Sequence, residues 1–139
     1  MIWKNEYDLG VEIIDTQHKE LFFRVDSFLK SVNDRKPLEE KMEEIQETFR
    51  FMEEFVYIHF RDEELLQKKI EYPNYENHRE VHEAFKADIL NFKKEFENDK
   101  YNEALIRKFG SNLLSWLIDH FVGEDQKISK YIREKDIKI

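Results

Sequence analysis

Apolar residues recur at alternating steps of three and four along four long segments of the chain, which places them on one face of a helix in each segment. Polar breaks at residues 33–37, 71–74 and 98–100 separate these segments. The 139 residues include only 3 Gly and 2 Pro, and 39% of them are charged. We therefore predict an all-α protein, an up-down-up-down four-helix bundle with an N-terminal arm and a short C-terminal helix, forming one domain over residues 1–139.

Ionisable residues occupy several positions on the apolar stripes. They are His18 in the first segment, His59 and Glu63 in the second, His78 and His82 in the third, and His120 in the fourth. A buried charged group is costly unless it is paired or binds a metal. In an antiparallel bundle all of these positions fall at the same end. A single buried histidine is more often a hydrogen-bonded core residue, but five on four stripes at one end favour metal ligation.

The stretch HREVH, residues 78–82, has the histidine spacing of the zinc-protease helix motif. That motif requires a glutamate directly after the first histidine, where this chain has Arg79. Glu80 lies about 200° around a helix from His78 and faces away. The protease motif is therefore incomplete.

Asp125 is the candidate for a second carboxylate ligand. On an unbroken α-helix it would lie about 140° from His120. Gly123 stands between the two residues. We expect the helix to break at this glycine, so that the chain turns Asp125 inward.

The proposed ligands comprise five imidazoles and two carboxylates, and the chain contains no cysteine. This set is too large for one tetrahedral zinc ion, and calcium prefers oxygen ligands. Imidazole with carboxylate suits iron, and manganese less well. Two octahedral ions sharing both carboxylates and an oxo or hydroxo bridge would keep one open position for a small ligand. The low anionic charge of the set favours lower oxidation states, and so reversible binding of oxygen as peroxide.

Composition excludes several classes of partner. The formal net charge is −8, which disfavours nucleic acid and anionic membrane surfaces. No apolar run approaches the roughly 20 residues of a membrane span, and the start MIWKNEYDLG does not resemble a signal peptide. We expect a cytoplasmic protein. We also expect a monomer, because nearly all apolar stripes are used inside one bundle.

The chain resembles the hemerythrins, specifically the single-domain bacterial hemerythrins. The resemblance lies in residues 14–22, HFRDE at 59–63, Tyr72-Pro73, HREVH, Trp116-Leu117 and HFVGED at 120–125. It implies a non-haem di-iron centre with an oxo or hydroxo bridge. His78, His82 and His120 would hold one iron, His18 and His59 would hold the other, and Glu63 and Asp125 would bridge them.

The resemblance also implies a function, which is reversible binding of dioxygen as a carrier, store or buffer. Dioxygen would bind end-on as hydroperoxide at the five-coordinate iron. The oxygen pocket would be lined by Leu21, Phe60, Trp116, Leu117 and Phe121. Two residues depart from the family pattern: Gln126 stands where a lysine is frequent, and Phe121 stands where a smaller aliphatic residue is common.

Two other functions use the same residues. One is a di-iron oxidoreductase acting on dioxygen, peroxide or nitric oxide, and the other is an oxygen or redox sensor module. We expect no output domain for a sensor and no spare histidine for catalysis, so a non-catalytic carrier is favoured. An oxygen-consuming enzyme is a candidate recipient of the bound gas.

Overall fold

The computed structural model describes residues 7–99 and 102–138. Its elements are α1 (Glu12–Val32), α2 (Leu38–Lys69), α3 (Tyr75–Asn98), α4 (Glu103–Leu117), a π-helical segment (Ile118–Glu124) and α5 (Asp125–Glu134). Helices α1 and α3 each pack against both α2 and α4. The predicted all-α four-helix bundle is confirmed. No helix in the described ranges combines the length and the apolar character needed to cross a membrane.

Two apolar clusters lie along the bundle. The larger one, the bundle core, fills the space between the four helices and is rich in phenylalanine. In it, Phe109 stacks on Phe49 with ring centroids 4.4 Å apart and meets Phe28 edge to face at 5.5 Å. Each fully buried phenylalanine contributes about 1.5–3 kcal/mol to folding. The smaller one, the end core, consists of Leu9, Val11, Ile14, Leu66, Ile70, Tyr72 and Ile128.

The residues that precede α1 are fixed to the bundle by Asp15. Its carboxylate accepts hydrogen bonds from the backbone N–H groups of Leu9 at 2.7 Å and Gly10 at 3.1 Å. Gly10 has a φ of 89°, a conformation that glycine adopts without penalty. Leu9 and Val11 are buried in the end core. The N-terminal arm is thus confirmed from residue 7 onward, whereas Ile2 and Trp3, also assigned to it, lie outside the described residues.

Helix α4 continues into α5 through the π-helical segment without a break. In a π-helix the hydrogen bonds span five residues instead of four, and the Asp125 N–H accordingly donates to the His120 carbonyl. The predicted break at Gly123 is wrong, because this glycine lies inside the π-helical segment and does not have a positive φ. The predicted short C-terminal helix is confirmed as α5.

A buried lysine closes the turn between α1 and α2. Lys41 is only 8% exposed, and its Nζ donates hydrogen bonds to the carbonyls of Val32, at 3.1 Å, and Asp34. These carbonyls lie at the C-terminal end of α1, where the helix dipole favours a cation. The α1–α2 turn is therefore held by a positive charge.

Gly123, inside the π-helical segment, can be tested by substitution with alanine. We expect Gly123→Ala to leave metal content unchanged and to raise the free energy of unfolding by up to about 1 kcal/mol, because alanine is the better helix former. A Cβ at Gly123 would meet no atom within 4 Å. Thermal unfolding and metal analysis measure both effects. Loss of metal would show that the π-helical segment needs the glycine.

Gly110→Ala is the matched comparison in α4. A Cβ there would lie 2.9 Å from Leu29 Cδ2 and 3.2 Å from Cε1 of the buried Phe28 ring. Overpacking of this kind costs about 1–3 kcal/mol, which exceeds the gain in helix propensity. We therefore expect Gly110→Ala to lower the unfolding temperature.

Candidate metal centre

All seven residues predicted as ligands meet between the bundle core and the end core. Each is at most 4% exposed. They are His18 on α1, His59 and Glu63 on α2, His78 and His82 on α3, His120 in the π-helical segment and Asp125 at the start of α5. The four-residue steps on α2 and α3 place both members of each pair on one helix face.

The π-helical segment brings His120 and Asp125 together. On an α-helix these residues would lie about 140° apart. Because the Asp125 N–H bonds to the His120 carbonyl, the two residues instead stand one turn apart on the same side of the helix. His120 Nε2 lies 3.2 Å from Asp125 Oδ1. The widened helix turn thus achieves the inward orientation that we had expected from a break at Gly123.

The ligand atoms fall into two groups, and within each group all of them lie within 4.8 Å of one another. The three-histidine group consists of Glu63, His78, His82 and His120, and the two-histidine group consists of His18, His59, Glu63 and Asp125. Each group is large enough to hold a metal ion. Glu63 belongs to both.

Glu63 faces the two groups with different oxygen atoms. Its Oε1 lies 3.0 Å from His78 Nε2 and 3.2 Å from His82 Nε2. Its Oε2 lies 3.4 Å from His18 Nε2 and 3.3 Å from His59 Nε2. This is the arrangement of a carboxylate able to join two metal ions.

Asp125 spans the two groups in the same way. Its Oδ1 lies 2.9 Å from His78 Nε2, and its Oδ2 lies 3.1 Å from His18 Nε2. Among the described residues, none of the four carboxylate oxygens of Glu63 and Asp125 has a hydrogen-bond donor in regular geometry. Buried oxygens without donors, surrounded by converging imidazole nitrogens, fit bound cations. Imidazole with carboxylate is a donor set that suits iron.

The charges of the centre shift the pKa values of its members. Burial would lower the pKa of His18 and His78, but the adjacent Asp125 and Glu63 carboxylates raise them to about 9 and about 10. Burial would raise the pKa of Glu63, yet the surrounding imidazoles hold it well below its ordinary value. The pKa of Asp125 is likewise lowered, against burial and the charge of Glu63, by the nearby histidines. The carboxylates therefore remain anionic and attract either protons on the imidazoles or metal ions.

Two histidines have a side-chain oxygen beside Nδ1, the ring nitrogen that points away from the centre. Gln17 Oε1 lies 2.8 Å from His59 Nδ1, and Glu64 Oε2 lies 3.0 Å from His82 Nδ1. An Nδ1–H that donates to such an oxygen leaves the Nε2 lone pair for the centre. Gln17 in turn donates from Nε2 to Asp62 Oδ2 at 2.8 Å.

The other two imidazoles of the three-histidine group have different surroundings. The side-chain amide of Gln67 lies 2.9 Å from His78 Nδ1 and is completely buried. His120 Nδ1 has no hydrogen-bond partner within the described residues. Its imidazole is held by stacking on Trp116, with centroids 4.3 Å apart. Only His82 of this group therefore has a carboxylate behind it.

Aromatic rings cover both groups. Phe121 stacks on His18 at 4.0 Å and meets His59 edge to face at 5.6 Å, so it lies on the two-histidine group. Phe60 stacks on His82 at 3.8 Å with parallel ring planes, although its centroid is also 5.7 Å from His59. Among the residues predicted to line an oxygen pocket, Leu21, Phe60, Leu117 and Phe121 are almost fully buried in the bundle core, and Trp116 is half-buried.

Several residues around the centre were not anticipated from the sequence. Gln17, Glu64 and Gln67 contact the candidate ligand histidines, and the sequence pattern points to one of them, Gln67. Gln67 follows Glu63 by four positions, so it continues the buried face of α2. Gln126, noted as a departure from the family pattern, donates from Nε2 to the Tyr7 carbonyl at 2.6 Å and ties α5 to the arm.

Fold and site together define a four-helix bundle with a buried histidine–carboxylate metal site. The chain belongs to the hemerythrin family, because the family model for the hemerythrin HHE cation binding domain matches residues 9–132. The predicted family is thereby confirmed.

Similar proteins match over most of this chain. Bacteriohemerythrin of Clostridium acetobutylicum is 24% identical over 129 residues, covering 91% of this chain and 96% of the relative. Bacteriohemerythrin of Campylobacter jejuni is 29% identical over 124 residues, covering 89% of both. A hemerythrin-like protein of Naegleria gruberi is 26% identical over 125 residues, covering 90% of this chain and 87% of the relative.

The contact between Glu64 and His82 Nδ1 predicts the effect of removing the Glu64 carboxylate. We expect Glu64→Ala to weaken metal binding by about 10–100-fold, because outer hydrogen bonds fix the ligand imidazole. Competition with a chelator, followed by metal analysis, measures the change. Glu83→Ala is the matched control, since Glu83 is half-exposed and bonds to Lys86 rather than to a histidine. Equal metal retention in both variants would contradict this role for Glu64.

Proposed function

We propose that this protein binds dioxygen reversibly at two non-haem iron ions and serves as a carrier, store or buffer. In this proposal His78, His82 and His120 hold one iron, and His18 and His59 hold the other. Glu63 and Asp125 bridge the two ions. Support comes from the two ligand groups and from carboxylates that face both of them with separate oxygens.

The two-histidine group is the proposed position for dioxygen, because it contains one imidazole fewer than the three-histidine group. When bound, the iron pair supplies the electrons and the open coordination position. The observation that carries the proposal is the position of the apolar Phe121 ring, which covers both His18 and His59 and forms a wall of the site. Such a wall excludes water and proton donors from the bound gas. That environment favours release of oxygen over its further reduction.

One observation favours a second candidate, an oxidoreductase acting on dioxygen, peroxide or nitric oxide. Hydrogen bonds lead from His59 through Gln17 to Asp62, whose side chain is 17% exposed. This chain connects His59 to a partly exposed carboxylate, which would raise the basicity of the imidazole and favour oxidation of an iron bound there. The carrier proposal predicts that this chain only orients His59.

We also propose that residues 1–139 act as a single hemerythrin-like domain and pass oxygen to an oxygen-consuming enzyme. The family match over residues 9–132 supports the first part. The two apolar clusters support it further, since α1, α2 and the continuous helix from α4 to α5 contribute to both of them.

An optical cycle tests the proposed function. The protein is reduced without air, exposed to oxygen and returned to vacuum, with iron counted per chain. We expect two irons and a visible absorption band that appears with oxygen and disappears under vacuum. Two irons with rapid, irreversible oxidation would favour the oxidoreductase. A single metal ion, or none, would contradict the ligand assignment.

Phe121→Tyr tests the apolar wall directly. We expect a several-fold faster autoxidation of the oxygenated protein, because a hydroxyl beside the two-histidine group can donate a proton. Phe109→Tyr is the matched control. It adds the same buried hydroxyl within the bundle core, where Phe109 contacts other phenylalanines and no histidine ring. Equal autoxidation rates in the two variants would show that Phe121 does not shield the bound gas.

A further inference from the structure

A recess of about 220 Å³ lies at the end of the bundle opposite the metal centre. It is bounded by the α1–α2 turn, the first turns of α2 and the first turns of α4. Apolar residues from these helices, including Val32, Ile45 and Ile106, contribute to its lining. The charged residues that line it are Asp34, Arg35, Lys36, Lys41, Glu103 and Arg107.

The recess is positively charged, although the whole chain has a net charge of −8. Four of its lining side chains are cationic and two are anionic. Within residues 7–99 and 102–138, no ion pair involves Arg35, Lys36 or Arg107. Three exposed cations without carboxylate partners among the described residues therefore line one recess.

Lys41 gives the recess a fixed charge. Its ammonium is buried and bonds to the backbone carbonyls of Val32 and Asp34, not to a carboxylate. A buried cation without an anionic partner is normally unfavourable. An anion in the recess would add a full negative charge to the partial charges of these carbonyls, while Lys41 continues to hold the turn.

The start of α2 adds to the positive potential. Pro37 at its N-cap provides no side-chain hydrogen bond to the first turn. The N-terminus of a helix has a partial positive charge and exposes N–H groups, which favours anions. Glu39 and Glu40 lie in that first turn but do not line the recess.

We propose that this recess binds a small phosphate-type dianion, either free phosphate or the phosphate group of an ester. Arg35 and Arg107 present planar guanidinium groups, which match phosphate oxygens in paired hydrogen bonds. Lys36 and Lys41 add positive charge from the turn and from α2. The recess holds one phosphate group, and the site is separate from the metal centre.

Equilibrium dialysis of the iron-loaded protein with radiolabelled inorganic phosphate, at ionic strength fixed with sodium chloride, tests the proposal. We expect saturable binding of one phosphate per chain. The double variant Arg35→Gln/Arg107→Gln should bind at least about tenfold more weakly, because two charge-assisted interactions are lost. The control Arg50→Gln/Lys130→Gln removes the same charge from exposed positions outside the recess and should bind like the parent protein.

Three results would overturn the proposal: no saturable binding, equal weakening in both double variants, or binding that survives Arg35→Gln/Arg107→Gln but is lost with the iron in His120→Ala. The last would place phosphate at the metal centre. A parallel titration with adenosine monophosphate distinguishes the source of the group. Tighter binding of the nucleotide indicates a phosphate ester, and tighter binding of inorganic phosphate indicates the free ion.

Discussion

Glu63 and Asp125 are completely buried carboxylates, and the rest of the structure has to compensate their negative charge. Anions without water must be compensated by positive charge, and removing that compensation would cost several kcal/mol. Five imidazoles converge on them from every helix of the bundle, and the bundle core and end core exclude solvent on either side. The same enclosure that makes the carboxylates costly makes the site selective for cations. Fold and metal binding are thus coupled through electrostatics.

The candidate ligand histidines differ in their surroundings, although each directs its Nε2 at the carboxylates of the centre. His82 has a carboxylate behind it, His59 and His78 have amides, and His120 has an aromatic ring. A carboxylate increases the basicity of an imidazole more than an amide does. The carboxylate behind His82 would therefore make the three-histidine group the better electron donor to a metal, whereas the two-histidine group is distinguished by the apolar Phe121 ring that covers it.

Most of the architecture follows from helical periodicity, which is a strong signal because each helix buries one continuous stripe. The same signal singled out six of the seven candidate ligands, because an ionisable group on such a stripe is costly unless it is paired or binds a metal. Asp125 does lie beside the other six candidates, but the expected break at Gly123 was wrong, because periodicity assumes α-helical geometry throughout and cannot anticipate a π-helical turn. The recess around Arg35 and Arg107 was also missed. Its two arginines come from distant segments and occupy exposed positions, where residue type is weakly constrained.

The π-helical segment also constrains the number of residues in the last helix, as distinct from their identity. Its wider turn accommodates one residue more than an α-helix would need to cover the same path. If residues 118–124 were all retained but formed an ordinary α-helix, everything downstream would rotate by about 100° around the helix axis. Asp125 would leave the metal centre, and Ile128 would leave the end core in the same step. The five-residue spacing between His120 and Asp125 and the π-helical turn therefore depend on each other, because that spacing brings the two side chains together only in the wider turn.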